Sequence, residues 1–319
     1  MSELGVLEWF ELGNRGRVER VCAGLRAIGV TRLRTGVSWA DWHRPEGEEW
    51  YAWLLPRLAR EFELLPCLHH TPPSRGLRPT IQSPPRRPRD FADFLDVLVD
   101  RFGDLFDWVE LWNEPNNLND WDWSLDPQWD RFCELVGDAG YWARQLGKKV
   151  VLGGMCPFDP NWLDLLGSRG LFTVLDAVGL HGFPGGWTTV WRGWDSDVER
   201  TREVLRRHGS DAEVWITECG YSTWRHDELA QAAALVDALD APAERVYWYA
   251  AEDLAPARNA CDGWHVDDRH YHFGLADAEG RPKLAARALA RGGLDALHAT
   301  VALASARRNR SRPPMARRE

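Results

Sequence analysis

The stretch DWVELWNEPNNLNDWDWSLDPQWDRFCELVGDAGYWARQLGKKVVLGG, residues 107–154, reads as one strand–helix–strand unit. Its opening, DWVELWNE at 107–114, is short, apolar and aromatic, as a buried strand requires. WDRFCELVGDAGYWARQLG at 129–147 spaces its apolar residues at helical intervals and ends in Gly147, a residue that suits a helix C-terminus. KVVLGG at 149–154 is a second strand. A strand, a helix and a further strand imply a parallel pair with a crossover helix packed over it.

The pattern repeats in both directions from this unit. Strand-like runs occur at VLEWFEL (6–12), TRLRTGVSW (31–39), LLPCLHH (64–70), DAVGLHGF (176–183), EVWITECG (213–220) and RVYWYAA (245–251). Helical patterns fall between them, among them RVERVCAGLRAIG, RDFADFLDVLVDRFG, SDVERTREVLRRHG and DELAQAAALVDALD. Eight strands in β-then-α order close naturally into a barrel, so the expected fold is α/β, a single-domain (β/α)8 TIM barrel. Such a barrel takes about 250 residues, and 319 residues do not demand a second domain. The barrel is expected over 1–296, with 297–319 as the end of a terminal helix and a basic, disordered tail. A doubly wound open sheet is the alternative, but no GxGxxG or GxxxxGK[ST] loop follows the first strand.

Composition bounds the partners. The formal net charge of −9 argues against nucleic acid or an anionic membrane as the main partner, although the final ARRNRSRPPMARRE is basic. The N-terminus has acids where a signal peptide carries a basic segment, and no apolar run is long enough to span a membrane. Six scattered cysteines without a CxxC pair suggest reduced thiols. These readings lead us to expect a cytoplasmic protein. The 19 tryptophans exceed what packing ordinarily asks for, and indole faces stack well on sugar rings.

In such a barrel the active site lies at the C-terminal ends of the strands. The polar and aromatic residues expected there are Arg34, Trp39, His69, His70, Asn113, Glu114, His181, Glu218 and Trp248. Glu114 in VELWNEPNN and Glu218 in VWITECGYST end two very apolar strands, the fourth and the seventh. Glycoside hydrolysis needs such a pair, one carboxyl to protonate the leaving oxygen and one to attack the anomeric carbon or activate water. Burial and mutual repulsion push such a pair's pKa values apart. A single strand-end Glu is ordinarily an ion-paired structural residue; two in these motifs point to catalysis. Glu110, on the strand of Glu114, reads as an ion pair inside the barrel.

This ordered set resembles clan A of the glycoside hydrolases, retaining (β/α)8 enzymes. Asn113-Glu114-Pro115 resembles the clan's acid/base motif after strand four, and Glu218 in WITECGYS its nucleophile after strand seven. Arg34 in RLRTGVSW, His181 in GLHGF and Trp248 in VYWYA resemble the Arg of strand two, the His of strand six and the sugar-platform Trp of strand eight. The similarity spans roughly 5–290, and the closing YHFGLADAEGRPKLAARAL is similar to glycoside hydrolase family 39. The resemblance implies a retaining hydrolase of β-glycosidic bonds, β-xylosidase-like or acting on an exopolysaccharide. Glu114 and Glu218 would be catalytic; Arg34, Trp39, His69, His70, Asn113, His181, Tyr221 and Trp248 would bind substrate. The expected partner is carbohydrate, with no cofactor and no metal.

One departure stands out. The clan often has Tyr two residues after the strand-six His, where this chain has Phe183; Tyr221, three residues past Glu218, is the candidate substitute. Phe183 also supports the alternative of a catalytically inert carbohydrate-binding barrel, and a transglycosylase would use the same site. HVDDRHYH (265–272) has the composition of a metal site, but reads equally as a loop lining a cleft. Trp121, Trp123, Trp187, Trp191 and Trp194, in loops after the fourth and sixth strands, are either subsite walls or rim packing.

Overall fold

The apolar runs form eight parallel strands closed into a barrel in chain order. They are β1 (Leu4–Leu7), β2 (Arg32–Ser38), β3 (Glu63–His69), β4 (Trp108–Leu111), β5 (Lys149–Met155), β6 (Ala177–Gly182), β7 (Glu213–Cys219) and β8 (Val246–Tyr249). The structure is a computed structural model and describes residues 3–185, 188, 190–255 and 268–310. The helices are α1 (Arg15–Ala27), α2 (Trp39–Trp42), α3 (Gly47–Ala59), α4 (Arg89–Phe102) and α5 (Asp130–Gln145). They continue with α6 (Pro160–Ser168), α7 (Trp194–Arg207), α8 (Glu228–Leu239) and α9 (Leu284–Arg310).

The first strand lies earlier than the sequence pattern suggests. Leu4 to Leu7 pair with Val246 to Tyr249, so Glu8 and Trp9 are already beyond its end. α3 and α6 are absent from the helical patterns read above. α3 carries Pro56 in its interior and α6 has only nine residues, so each gives a weak periodic signal. α9 runs past residue 296; its break lies at Gly292–Gly293, where Gly293 takes φ +63°. No helix among the described residues is long and apolar enough to cross a membrane.

Two packed layers follow from strand alternation. Inside the barrel, Leu65, Trp108, Val151, Ala177, Trp215 and Tyr247 form a closed plug below the site. The Trp108 and Trp215 rings lie 4.4 Å apart, and Arg245 stacks 4.4 Å over Trp215 while pairing with Glu63. Gly5 makes room for this plug, because a Cβ there would stand 2.6 Å from the Tyr247 ring. Outward-facing strand residues meet the helices in the larger core, which contains Leu33, Leu68, Leu111, Leu152, Leu180 and Ile216. The aromatic plug fills the lower part of the barrel interior, below the polar residues at the C-terminal ends of the strands. Cys22, Cys67, Cys133, Cys156 and Cys219 are free thiols; Cys261 lies outside the described residues.

Candidate active site

The site is built around Arg34, which β2 points into the barrel and buries completely. Its guanidinium lies side-on to Glu110: Nη2 donates to Oε1 at 3.0 Å and Nε bonds Oε2. Nη1 donates to Glu218 Oε1 at 2.6 Å, and Nη2 also donates to Asn113 Oδ1 at 2.8 Å. Burial opposes the charge of Arg34, but Glu110 and Glu218 more than offset this and keep it protonated. Glu110 is the ion-paired carboxylate its sequence position suggested.

Glu114 is delivered by a sharp turn after β4. Trp112 and Glu114 both adopt positive φ, +69° and +36°, and the Trp112 indole is anchored by Nε1 donating to Asp120 O at 3.0 Å. Glu114 Oε1 lies 2.8 Å from His181 Nδ1, and Oε2 accepts from Asn117 Nδ2 at 2.9 Å. Burial pushes the Glu114 carboxyl up to about 6. Burial also raises Glu218, and the Arg34 guanidinium opposes that rise. His181, pushed down to about 4 chiefly by burial, is neutral at pH 7. Its Nδ1 is also 3.6 Å from Glu218 Oε2, and its Nε2 meets Thr217 Oγ1 at 3.1 Å.

An oxygen of Glu114, an oxygen of Glu218 and a nitrogen of His181 all lie within 4.8 Å of one another. His69, His70 and Asp120 make a similar group of donors nearby. Neither reads as a cation site. Glu218 already carries Arg34 as its counter-charge. The His69 and His70 rings have centroids 3.9 Å apart and are tilted by 31°, and His69 feels the positive charge of the same Arg34, which disfavours a second cation there. His69 sits between His70 and Trp9, with ring centroids 5.0 Å from the latter. Its Nδ1 is buried without a hydrogen-bond partner among the described residues. His70 has φ +63° and faces Ser38 Oγ at 3.4 Å. Asn113 Nδ2 donates to Asp120 at 3.1 Å and joins this flank to the carboxylate pair.

Trp39 and Trp248 are not brought to this group. Trp39 is fully buried and stacks on Phe94, with ring centroids 6.1 Å apart. Trp248 belongs to the outer core, since its register partner Cys219 and its strand neighbours place it on the helix-facing side of β8. The inward residues of β8 are Tyr247, in the plug, and Tyr249, half-buried at the rim. Tyr249 packs with Phe183 (6.2 Å) and Phe273 (5.6 Å). Phe183 therefore lies in an aromatic cluster with Tyr249 and Phe273. Tyr221 rests its ring against Gly185 of the loop after β6, whereas the polar side chains beside the Glu218 carboxylate among the described residues are Arg34 and His181.

Of the loop tryptophans, Trp121 is wholly buried against Trp112 and Phe132. Trp194 is buried beside Trp191, Trp123 is exposed, and Trp187 lies outside the described residues. His270 is buried, His272 Nδ1 stands 3.6 Å from Asp253, and His265 lies outside the described residues. Sequence reasoning missed Trp9, whose ring lies 5.3 Å from the Arg34 guanidinium, as well as Asn117, Thr217 and Tyr249. Thr217 was hidden by a register shift between β6 and β7, which turns both Thr217 and Glu218 toward the barrel interior.

No protein-family model and no curated protein matches the chain. Solved structures do. A family 39 glycoside hydrolase from Bacteroides cellulosilyticus WH2 superposes with a TM-score of 0.67 at 18% identity over 91% of this chain and 62% of its own. An exo-β-1,4-mannosidase from Opitutaceae bacterium strain TAV5 gives 0.68 at 17% identity, covering 95% of this chain and 60% of its own. A GH5_18 structure from Streptomyces cattleya, in complex with GlcNAc, gives 0.58 at 18% identity, covering 98% and 81%. The chain thus spans about three-fifths of the length of the first two. At these identities the likeness is one of fold, and the chain is a (β/α)8 barrel of the architecture shared by these glycoside hydrolase structures.

Proposed function

We propose that this protein is a retaining glycoside hydrolase acting on a β-glycosidic bond, with Glu114 as acid/base and Glu218 as nucleophile. The observation that carries the reading is the approach of the two carboxylates, with oxygens within 4.8 Å of each other. Retaining pairs stand about 5–5.5 Å apart, whereas inverting pairs need roughly 6.5–9.5 Å to admit a water between them. Glu114, raised to about 6, keeps a protonated fraction near neutrality and donates to the leaving oxygen. Glu218, whose Oε1 is bound by the Arg34 guanidinium, attacks the anomeric carbon. Water deprotonated by Glu114 then releases the sugar from Glu218 and restores both residues. Asn113 keeps one amide proton beyond its bond to Asp120, and we assign that proton to the sugar 2-hydroxyl. Phe183, the departure that favours an inert binding protein, leaves the partners of both carboxylates in place. The exo-β-1,4-mannosidase among the structural neighbours supports a β-linked hexoside as substrate.

The test is incubation with 2,4-dinitrophenyl 2-deoxy-2-fluoro-β-glycosides of xylose, glucose, mannose and galactose, followed by peptide mass spectrometry. One sugar should label Glu218 and leave Glu218→Gln unlabelled. Absence of an adduct with all four sugars, or release of a product with inverted anomeric configuration from a natural glycoside, would refute the proposal.

A further inference from the structure

We infer that Thr217 is a positioning residue that fixes the tautomer of His181: its hydroxyl donates to Nε2, leaves the ring proton on Nδ1, and makes His181 a donor to Glu114 Oε1. The catalytic consequence rests on Glu114 being the acid/base; the tautomer itself does not.

Thr217 is fully buried, and its Oγ1 has His181 Nε2, at 3.1 Å, as its hydrogen-bond partner among the described residues. A hydroxyl carries one proton and two lone pairs. Were Nε2 the donor, the buried hydroxyl proton would have no acceptor, and an unmet buried donor costs about 1–3 kcal/mol. Donation from Thr217 avoids that cost. It also matches the other end of the ring, where Nδ1 faces a carboxylate oxygen at 2.8 Å. The pocket is shaped for this chain of contacts. A Cβ on Gly179 would stand 2.5 Å from Thr217 Oγ1, and one on Gly154 would stand 2.2 Å from His181 Cδ2.

With Nδ1–H aimed at Oε1 and Asn117 donating to Oε2, both oxygens of Glu114 accept from the protein. When Glu114 is protonated, the His181 ring offers its O–H no acceptor, and the proton stays available to a leaving group. In the opposite tautomer Nδ1 would accept that proton and hold it away from a leaving group. The other charged or titratable groups acting on this pair are Arg34, Glu110, Glu218 and Cys156, none of which contacts Nε2.

The test is ¹⁵N NMR of histidine-labelled full-length protein between pH 5 and 8, with the His181 signals identified by their loss in His181→Gln. The wild type should hold its proton on Nδ1 throughout. Thr217→Val should release the ring to a mixed or Nε2-protonated state on the acid side, and Thr217→Ser should restore the wild-type pattern. A wild-type proton on Nε2 overturns the inference whether or not Thr217→Val folds, and so does an unchanged tautomer in a folded Thr217→Val. In parallel, the pH profile of kcat/KM is measured on the 4-nitrophenyl β-glycoside of the sugar that labels Glu218. Losing the donor stabilises protonated Glu114, so the alkaline limb should move up by about one pH unit in Thr217→Val and return in Thr217→Ser. A tautomer that switches while the profile stays fixed, with Glu114→Gln equally silent, upholds Thr217 and removes Glu114 from the acid/base role.

Discussion

At the scale of single residues, one guanidinium organises the site. Arg34 touches Glu110, Asn113 and Glu218 at once, so a buried positive charge opposes the rise that burial imposes on Glu218, while Glu114, bonded to the neutral partners Asn117 and His181, is pushed up by burial to about 6. That asymmetry sets the pH dependence. An acid must be protonated to act, so kcat/KM should fall as pH rises through about 6 in a rate profile. Glu114→Gln should flatten that limb and cost about 10²- to 10⁴-fold on alkyl glycosides, with a smaller loss in the first step on nitrophenyl glycosides, whose leaving group needs little help. A limb that persists unchanged in Glu114→Gln would assign the titration to another group. Both glutamates were legible in the sequence because each ends an apolar strand within a recognisable motif. Thr217 and Trp9 carried no such signal, since a Thr in a strand and a Trp after one are ordinary in an aromatic-rich chain.

At the scale of elements, which face a residue takes decides its role. On β8, Tyr249 faces the rim and Trp248 the helices. Trp248→Ala should therefore lower stability by about 3–5 kcal/mol in denaturant unfolding, with KM little changed. Tyr249→Ala should raise KM at a smaller cost in stability. The reverse pattern would return the platform role to Trp248. Strict period-two alternation would have placed one of the neighbours Thr217 and Glu218 outside the barrel. The register shift between β6 and β7 brings both inside, and nothing in WITECG marks it. The helical patterns were clear where amphipathic, as in α4 and α5, and faint in short α6 and in Pro-containing α3.

Across the whole molecule, folding buries titratable groups that the unfolded chain leaves in water. His69 is held well below its usual pKa, mainly by burial. The unfolded chain then binds a proton below about pH 6.5 that the folded one refuses, so the stability linked to His69 is complete above 6.5 and lost as pH falls. The difference in unfolding free energy between wild type and His69→Gln should shrink by up to about 1.4 kcal/mol per pH unit below 6.5, read from urea titrations. A difference constant with pH would mean that His69 is protonated in the fold. The two-protein comparison isolates this group from Glu114, whose raised pKa acts in the opposite sense. The sequence alone determined the barrel and the carboxylate pair, because hydrophobic periodicity and strand-end motifs are local properties of the chain. Only the tertiary structure decided how the site is wired: that Arg34 joins Glu110 to Glu218, that Trp39 and Trp248 belong to the core, and that Thr217 meets His181. Those facts depend on strand register and on the space left by distant glycines, which no local pattern encodes.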